Sequence, residues 1–304
     1  MPYCLTIKPS IKPVHNTDLM AAKRNILLLL CLLITGTTAY SQWAMGKGKG
    51  YYKVGVWWLQ ADQHYTNVGA VDPNATRGLF INSFFGRYGL SENLSLVGYV
   101  PHTRVYQNKQ VYSSGRAPLA GEEFSSLGDI NLGLDYQWYR KKGWAISTSL
   151  TLGLPTGNNS GGSDGSYQTG DGEFNQIVRL HFGRSYRLGK QRFYAKANFG
   201  VNQRSKGFSD EFRVGVETGT KILDQKILVL GRLNLIESFQ NGTLDASTSN
   251  GSIFANNVEV VNLGGEMIFD VFKNWRFSLS ASYPVRGRLI YRAPALSTGI
   301  SLQL

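Results

Sequence analysis

The sequence contains little cysteine, little proline and little charge. Its two cysteines, Cys4 and Cys31, both lie near the N-terminus of the 304-residue chain, so the rest of the protein has no disulfides. The 9 prolines are too few for a collagen-like or low-complexity chain, and a hydrophobic content of 42% excludes a disordered polymer. Charged residues make up 17%, against about 25% in soluble domains, which leaves room for a lipid-facing surface.

Long hydrophobic runs are also missing. No apolar stretch reaches the roughly 18 residues that a transmembrane helix needs, which excludes a helical membrane protein and leaves a β-barrel open. The chain is rich in glycine, with 35 residues, and aromatics reach 12%. Low charge together with many aromatics indicates a surface that does not face water everywhere.

The first forty residues have the order of a secretory signal. Lys23 and Arg24 precede the apolar run 26–34, and Ala39-Tyr40-Ser41 forms an A-x-S site that predicts cleavage after Ser41. Translation can start at Met1 or at Met20. Leucines precede Cys31, so it lacks the small residues of a lipobox.

The predicted cleavage site divides the chain into three expected regions. We expect residues 1–41 to be an upstream extension plus a cleaved signal peptide, 42–50 a flexible periplasmic lead-in, and 51–304 the folded domain. The exported chain remains basic, so its expected partners are outer-membrane lipid, lipopolysaccharide or an anionic small solute, and not nucleic acid.

Apolar and polar residues alternate over segments of about ten residues, the length of a tilted membrane strand. In the clearest segment, 144–154, we expect these side chains to face lipid: Trp144, Ile146, Leu150, Leu152 and Leu154. The pattern predicts twelve strands, over 50–61, 78–90, 94–105, 126–140, 144–155, 174–187, 192–204, 211–222, 226–238, 257–271, 275–286 and 296–304.

Short and long connections alternate along the chain. The predicted long connections are 62–77, 106–125, 156–173, 205–210, 239–256 and 287–295. An even strand number with this alternation is typical of an outer-membrane barrel, whose turns are periplasmic and whose loops are extracellular. A soluble β-sandwich has shorter strands and no reason to alternate. We therefore predict an all-β fold, a closed antiparallel transmembrane barrel of about 12 strands, in the outer membrane of a Gram-negative cell.

Aromatic residues near the short turns fit a girdle at one membrane interface. The candidates are Trp138, Trp144, Trp275, Tyr51 and Tyr52.

Two motifs resemble an outer-membrane barrel family. Gly128-Asp129-Ile130-Asn131-Leu132-Gly133-Leu134-Asp135-Tyr136, followed by Leu152-Gly153-Leu154-Pro155-Thr156-Gly157, is similar to a hairpin of the transporter-like family named for the meta-pathway of phenol degradation. The resemblance implies a barrel that takes up hydrophobic or aromatic compounds. A departure is Leu304, because many such barrels end in an aromatic residue.

The sequence has few residues that are placed for catalysis. His64 and His102 lie near strand ends, and His181 shares its strand with Ser185, about 13 Å away at the strand rise. No catalytic residue, cofactor or metal ligand is predicted, and the chain is not expected to be an enzyme. The glycine- and aspartate-rich loop over 158–173 leaves calcium binding open, although its spacing matches no EF-hand.

The alternation also places charges inside the barrel. The predicted lumen-lining residues are Lys53, Arg179, Lys196, Arg213, Arg232 and Arg276, with the acids Asp135, Glu217 and Glu266. One interpretation is that these charges pair and fill a narrow interior. The other is an anion-preferring pore, in which arginines bind carboxylates or phenolates.

The predicted function is passive uptake of small solutes, with aromatic or anionic compounds as candidates. The alternative is a non-transporting barrel, either an enzyme or a structural, partner-binding protein.

Overall fold

The structure, a computed structural model, describes residues 44–73, 77–110, 119–244 and 252–304. The predicted signal peptide and its cleavage site lie outside these residues. None of the described residues belongs to a helix long and apolar enough to cross a membrane. The strands are β1 (Gly50–Ala61), β2 (His64–Tyr65), β3 (Val71–Asp72), β4 (Arg77–Gly89), β5 (Leu94–Gln110), β6 (Leu119–Leu127), β7 (Ile130–Lys141), β8 (Trp144–Leu154), β9 (Asn175–Leu188), β10 (Gln191–Arg204), β11 (Glu211–Ile222), β12 (Ile227–Ser238), β13 (Glu259–Phe272), β14 (Trp275–Arg288), β15 (Ile290–Tyr291) and β16 (Ala295–Gln303).

The long strands form one closed antiparallel sheet. Its order runs β4-β1-β16-β14-β13-β12-β11-β10-β9-β8-β7-β5, and β4 also pairs with β5, which closes the ring. β6 pairs with the second half of β5, while β7 pairs with its first half, so β6 and β7 occupy one place in the ring. The barrel is therefore twelve-stranded, as the sequence predicts.

The predicted loop over 106–125 is wrong where the structure describes it. β5 continues to Gln110, and β6 begins at Leu119. The segment Gly121-Glu122-Glu123-Phe124-Ser125 has no apolar alternation, because it extends the hairpin past the apolar band and faces no lipid. β7 begins at Ile130, four residues after the predicted start at 126, because residues up to Leu127 belong to β6. The remaining strands agree with the prediction to within two residues at each end.

The alternation predicted from sequence is visible in the exposure of the side chains. Val54 is 63% exposed and Leu150 is 42% exposed on the outer face, while Ser149 next to Leu150 is buried inside. Lipid offers no hydrogen bonds to an open strand edge, so the ring is closed by the pairing of β4 with β5, and the outward apolar residues meet lipid.

Short turns join the strands at one end of the barrel, here called the turn end; the other end is the loop end. The turn between β7 and β8 consists of Lys142 and Gly143, with φ of 51° and 80°. Two successive positive φ values match a type I′ turn, whose twist suits a two-residue hairpin.

Aromatic side chains collect on the outer face near the turn end. Trp138, Trp144 and Trp275 are all exposed there, and Tyr52 stacks on Phe84 with ring centroids 6.3 Å apart. Tyr51 departs from the prediction, since successive strand residues point to opposite faces. It packs edge-on against Phe85, an inward position, with ring centroids 6.0 Å apart.

Loop residues pack together at the loop end. Leu59, Ala61 and Leu79 of β1 and β4 form an apolar core with Tyr291 and Ala293 of the last long connection. A second small core of Ala255, Val258 and Leu289 lies among the loops, and β15, β2 and β3 pair into a three-stranded sheet. The predicted connections 62–77, 239–256 and 287–295 therefore carry structure of their own in their described parts.

The residues before β1 approach the interior at the turn end. The Ala44 N–H donates to Gln137 Oε1 over 3.1 Å and the Met45 N–H to Ser95 Oγ over 3.1 Å. Gly89 lies so close to Gly46 that a Cβ there would overlap the Gly46 carbonyl. This segment narrows the turn-end mouth.

Candidate functional site: the barrel interior

Cross-strand register brings polar side chains of neighbouring strands into rows on the inner wall. Asp135 of β7 lies opposite Ser149 of β8, which lies opposite Arg179 of β9. Directly opposed residues of an antiparallel pair share a face, so the whole row points inward.

Five predicted interior charges join in one connected chain, here called the central chain: Lys53, Glu266, Arg232, Glu217 and Lys196. Lys53 Nζ lies 3.1 Å from Glu266 Oε1, although β1 and β13 are separated by two strands, so the contact runs through the interior. Arg232 bridges Glu266 and Glu217 at 2.7 Å each, and Lys196 Nζ lies 2.6 Å from Glu217. Three cations share two carboxylates, so the central chain keeps a net positive charge.

Other predicted charges have partners that sequence reasoning missed. Asp135 pairs with Arg87 of β4 at 2.9 Å. Arg213 pairs with Glu211 two residues before it, at 2.5 Å, and Arg276 pairs with Asp270 at 2.8 Å. Five of the six predicted lumen cations are thus ion-paired, the arrangement expected if interior charges pair with one another.

Arg179 is the exception among them. No carboxylate of the described residues lies within 4.0 Å of its guanidinium, although Asp135 and Glu211 are near enough to interact with it electrostatically. Its side chain is half-buried and lies across Gly200 of the next strand, where a Cβ would be 2.5 Å from Arg179 Cγ. The lack of a side chain at Gly200 is what lets this arginine lie along the wall.

Other inward glycines also have a long side chain of the neighbouring strand lying over them. A Cβ at Gly299 would lie 2.6 Å from Lys53 Cε, and one at Gly219 would lie 2.7 Å from the Tyr194 ring. Long interior side chains therefore lie flat on glycines of the neighbouring strand. This accounts for part of the glycine excess.

His181 has an interior partner that the sequence did not single out. Its Nε2 is hydrogen-bonded to Ser149 Oγ of the neighbouring strand over 2.9 Å. Ser185 is the only serine that the sequence places on the same strand face as His181, because pairing between strands is not visible in a single sequence. His64 lies in the small sheet of the loop end, and His102 is exposed on β5.

The residues of the sequence motif hold the connection over 155–174, here called the rim loop. Asp129 accepts the N–H groups of Gly157 over 2.9 Å and Asp171 over 2.8 Å, at the two ends of the loop. Thr156 donates its hydroxyl to the Gly128 carbonyl over 2.7 Å. Burial raises the pKa of Asp129 to about 6.

A buried charged group, here called the outer cluster, joins the rim loop to the barrel wall. It consists of Arg204 with three carboxylates: Glu173, which is fully buried, Asp171 at 3.1 Å and Glu211 at 2.9 Å. Glu173 also accepts the Ser205 N–H over 2.7 Å. Burial, reinforced by the neighbouring Asp171 carboxylate, raises the pKa of Glu173 to about 7.

The rim loop turns inward over the loop end. Arg77 of β4 donates to the Ser166 carbonyl over 2.7 Å and stacks on the buried Tyr167 ring at 4.1 Å. Over the described residues, which include the whole loop, no group of three His, Cys, Asp or Glu side chains is arranged to hold a metal ion.

The closed ring, the lipid-facing apolar band and the charged interior define an outer-membrane β-barrel. The chain belongs to the family described as "Putative MetA-pathway of phenol degradation", whose model matches residues 62–297. The resemblance found in the two motifs is thereby confirmed. No curated protein sequence matches the chain.

Solved structures of outer-membrane barrels share the fold. The COG4313 outer membrane channel from Pseudomonas putida F1 superimposes with a TM-score of 0.60 at 14% identity, covering 88% of this chain and 100% of that one. The KdgM porin in complex with disordered oligogalacturonate gives 0.44 at 8% identity, covering 83% and 99%. The translocator domain of NalP from Neisseria meningitidis gives 0.45 at 9% identity, covering 95% and 96%. The agreement in fold rests on the COG4313 channel alone, because the TM-scores of the other two are below 0.5.

Proposed function

We propose that this protein is an outer-membrane channel for passive uptake of small solutes, with a preference for anionic ones. The observation that carries the proposal is the inner wall, where polar side chains lie flat on glycines and cations outnumber carboxylates in the central chain. A polar, positively charged lining favours anions in a pore. The family description supports small aromatic compounds, whose degradation yields carboxylates and phenolates, as the solute class.

Size limits follow from the two ends of the barrel. The apolar loop core and the rim loop cover the loop end, and residues before β1 narrow the turn end. Solutes have to pass between packed side chains, which restricts the channel to small molecules.

Liposome swelling tests the proposal. Vesicles containing the folded barrel should swell in small monocarboxylate salts faster than protein-free vesicles, and should swell slowly in a trisaccharide. Equal rates with and without protein would contradict a channel.

An enzyme is the second candidate, and the Ser149–His181 hydrogen bond is the observation in its favour. A Ser–His pair becomes an efficient nucleophile when a third group orients the imidazole. The carboxylate of the same row, Asp135, is engaged by Arg87 at 2.9 Å, and the residue opposite Ser149 is the cation Arg179. This surrounding favours anion binding over acyl transfer. Labelling of Ser149 by a fluorophosphonate probe would instead support an enzyme.

A further inference from the structure

Among the residues that the structure describes, Arg179 differs from the interior cations around it in having no ion-pair partner. Lys196, Arg213 and Arg87, its charged neighbours on the wall, each have a carboxylate within 3.0 Å. The described residues place none that close to Arg179. Asp135 and Glu211 act on its charge only at longer range, so no carboxylate of the described residues forms a direct ion pair with it.

An unpaired guanidinium in the interior of a barrel is electrostatically costly. Removing a cation from bulk water is compensated only by a counter-charge with good hydrogen-bond geometry. Arg179 is half-buried and points from a strand wall toward the lumen, so that counter-charge can come from a mobile anion.

The neighbours of Arg179 supply polar groups for such an anion. Ser149 lies directly opposite, with its hydroxyl 2.9 Å from His181 Nε2, and Asn198 lies opposite His181 on β10. The absent side chain of Gly200 lets the aliphatic stem of Arg179 lie along the wall and holds the guanidinium in place. A guanidinium so held presents its fork of N–H groups, which matches a planar carboxylate in two parallel hydrogen bonds.

We propose that Arg179, with Ser149 and His181 beside it, is a binding site for a small carboxylate inside the barrel. This inference rests on the proposed channel function and names the solute class that the channel takes. The paired cations of the central chain then act as a positively charged approach, and Arg179 makes the direct contact.

Isothermal titration calorimetry of the folded protein in detergent, with benzoate as the probe, tests the site. Benzamide is the matched uncharged control ligand. Benzoate should bind and benzamide should not, and R179Q should weaken benzoate binding by about tenfold or more, since one charge-assisted bidentate contact is lost. R179K should bind with an intermediate affinity, because it keeps the charge and loses the fork.

R184Q is the matched control variant. Arg184 lies on the same strand but on the outer face, where it stacks over Trp144 at 4.5 Å. R184Q should bind benzoate like the wild type. Heat-dependent migration on a detergent gel checks that each variant forms the barrel.

Conductance of the same wild-type sample separates the two proposals. Benzoate binding without conductance would overturn the channel and keep the site. Conductance with benzoate affinity unchanged in R179Q, or with no benzoate binding by the wild type, would overturn the site and keep the channel.

Discussion

Two arginines of the inner wall, Arg204 at the loop end and Arg179 at mid-barrel, stand in opposite surroundings. Arg204 is only 4% exposed and touches three carboxylates, whereas Arg179 is half-buried and has no carboxylate of the described residues within 4.0 Å. A buried cation with matched acceptors holds structure together, while an accessible one without them is available to a ligand. The same residue type thus fastens the rim loop in one place and carries the proposed carboxylate site in the other.

The largest expected effect is the loss of stability on replacing Arg204, compared with replacing Arg179. R204L leaves Glu173, Asp171 and Glu211 together without their cation and should lower the free energy of unfolding by about 3 to 5 kcal/mol. R179L removes a charge that has no ion pair with the described residues and should change the free energy of unfolding by less than about 1 kcal/mol. Denaturant titration of the folded barrel in detergent measures both.

R104L provides the baseline for an exposed ion pair. Arg104 and Glu123 are 49% and 61% exposed on the β5–β6 extension, where an ion pair is worth about 0 to 1 kcal/mol. Equal losses in R204L and R104L would show that the outer cluster does not hold the fold.

The lipid-facing band allows a second comparison. L150R places a charge on the outer face and should cost about 2 to 4 kcal/mol if Leu150 lies near the membrane midplane. L223R changes an exposed leucine in a short turn and should cost about 0 to 1 kcal/mol, because charges near the interface are tolerated. Unfolding in lipid vesicles measures both, and similar costs would show that β8 is placed at the wrong depth.

Stability at the loop end should depend on pH. Burial raises the pKa of Asp129 to about 6 and of Glu173 to about 7, above their values in an unfolded chain. The folded state therefore binds protons more tightly, and its extra stability, present below about pH 4, is lost as pH rises through 6 and 7, by on the order of 1 to 2 kcal/mol.

Melting temperatures between pH 5 and pH 8 measure this effect. The wild type should melt at a lower temperature at pH 8 than at pH 5, and E173Q should show a smaller difference because one of the two groups no longer titrates. A wild-type melting temperature that rises with pH would contradict the assigned directions.

The strands and the inward face were predictable because they depend on local pattern. In the segment 144–154, alternation alone identified the outward Leu150, and a short turn marked its start. β6 was missed because its Glu- and Ser-rich stretch lacks alternation.

The partners of the interior charges depend on register between distant strands and could not be predicted. Lys53 and Glu266 are 213 residues apart, and neither segment contains a sequence signal that identifies the other as its partner. Glu211 and Asp270 were missed as acids because they lie at the ends of the strands, where the alternation fades. Without them Arg213 and Arg276 looked as accessible as Arg179.

The reversal potential of the wild-type protein in a potassium chloride gradient across a planar bilayer tests the central claim most directly. A channel whose central chain carries more cations than carboxylates should give a potential of the sign set by chloride, and the preference should weaken in R179Q. A potential set by potassium, or the absence of conductance, would contradict the account.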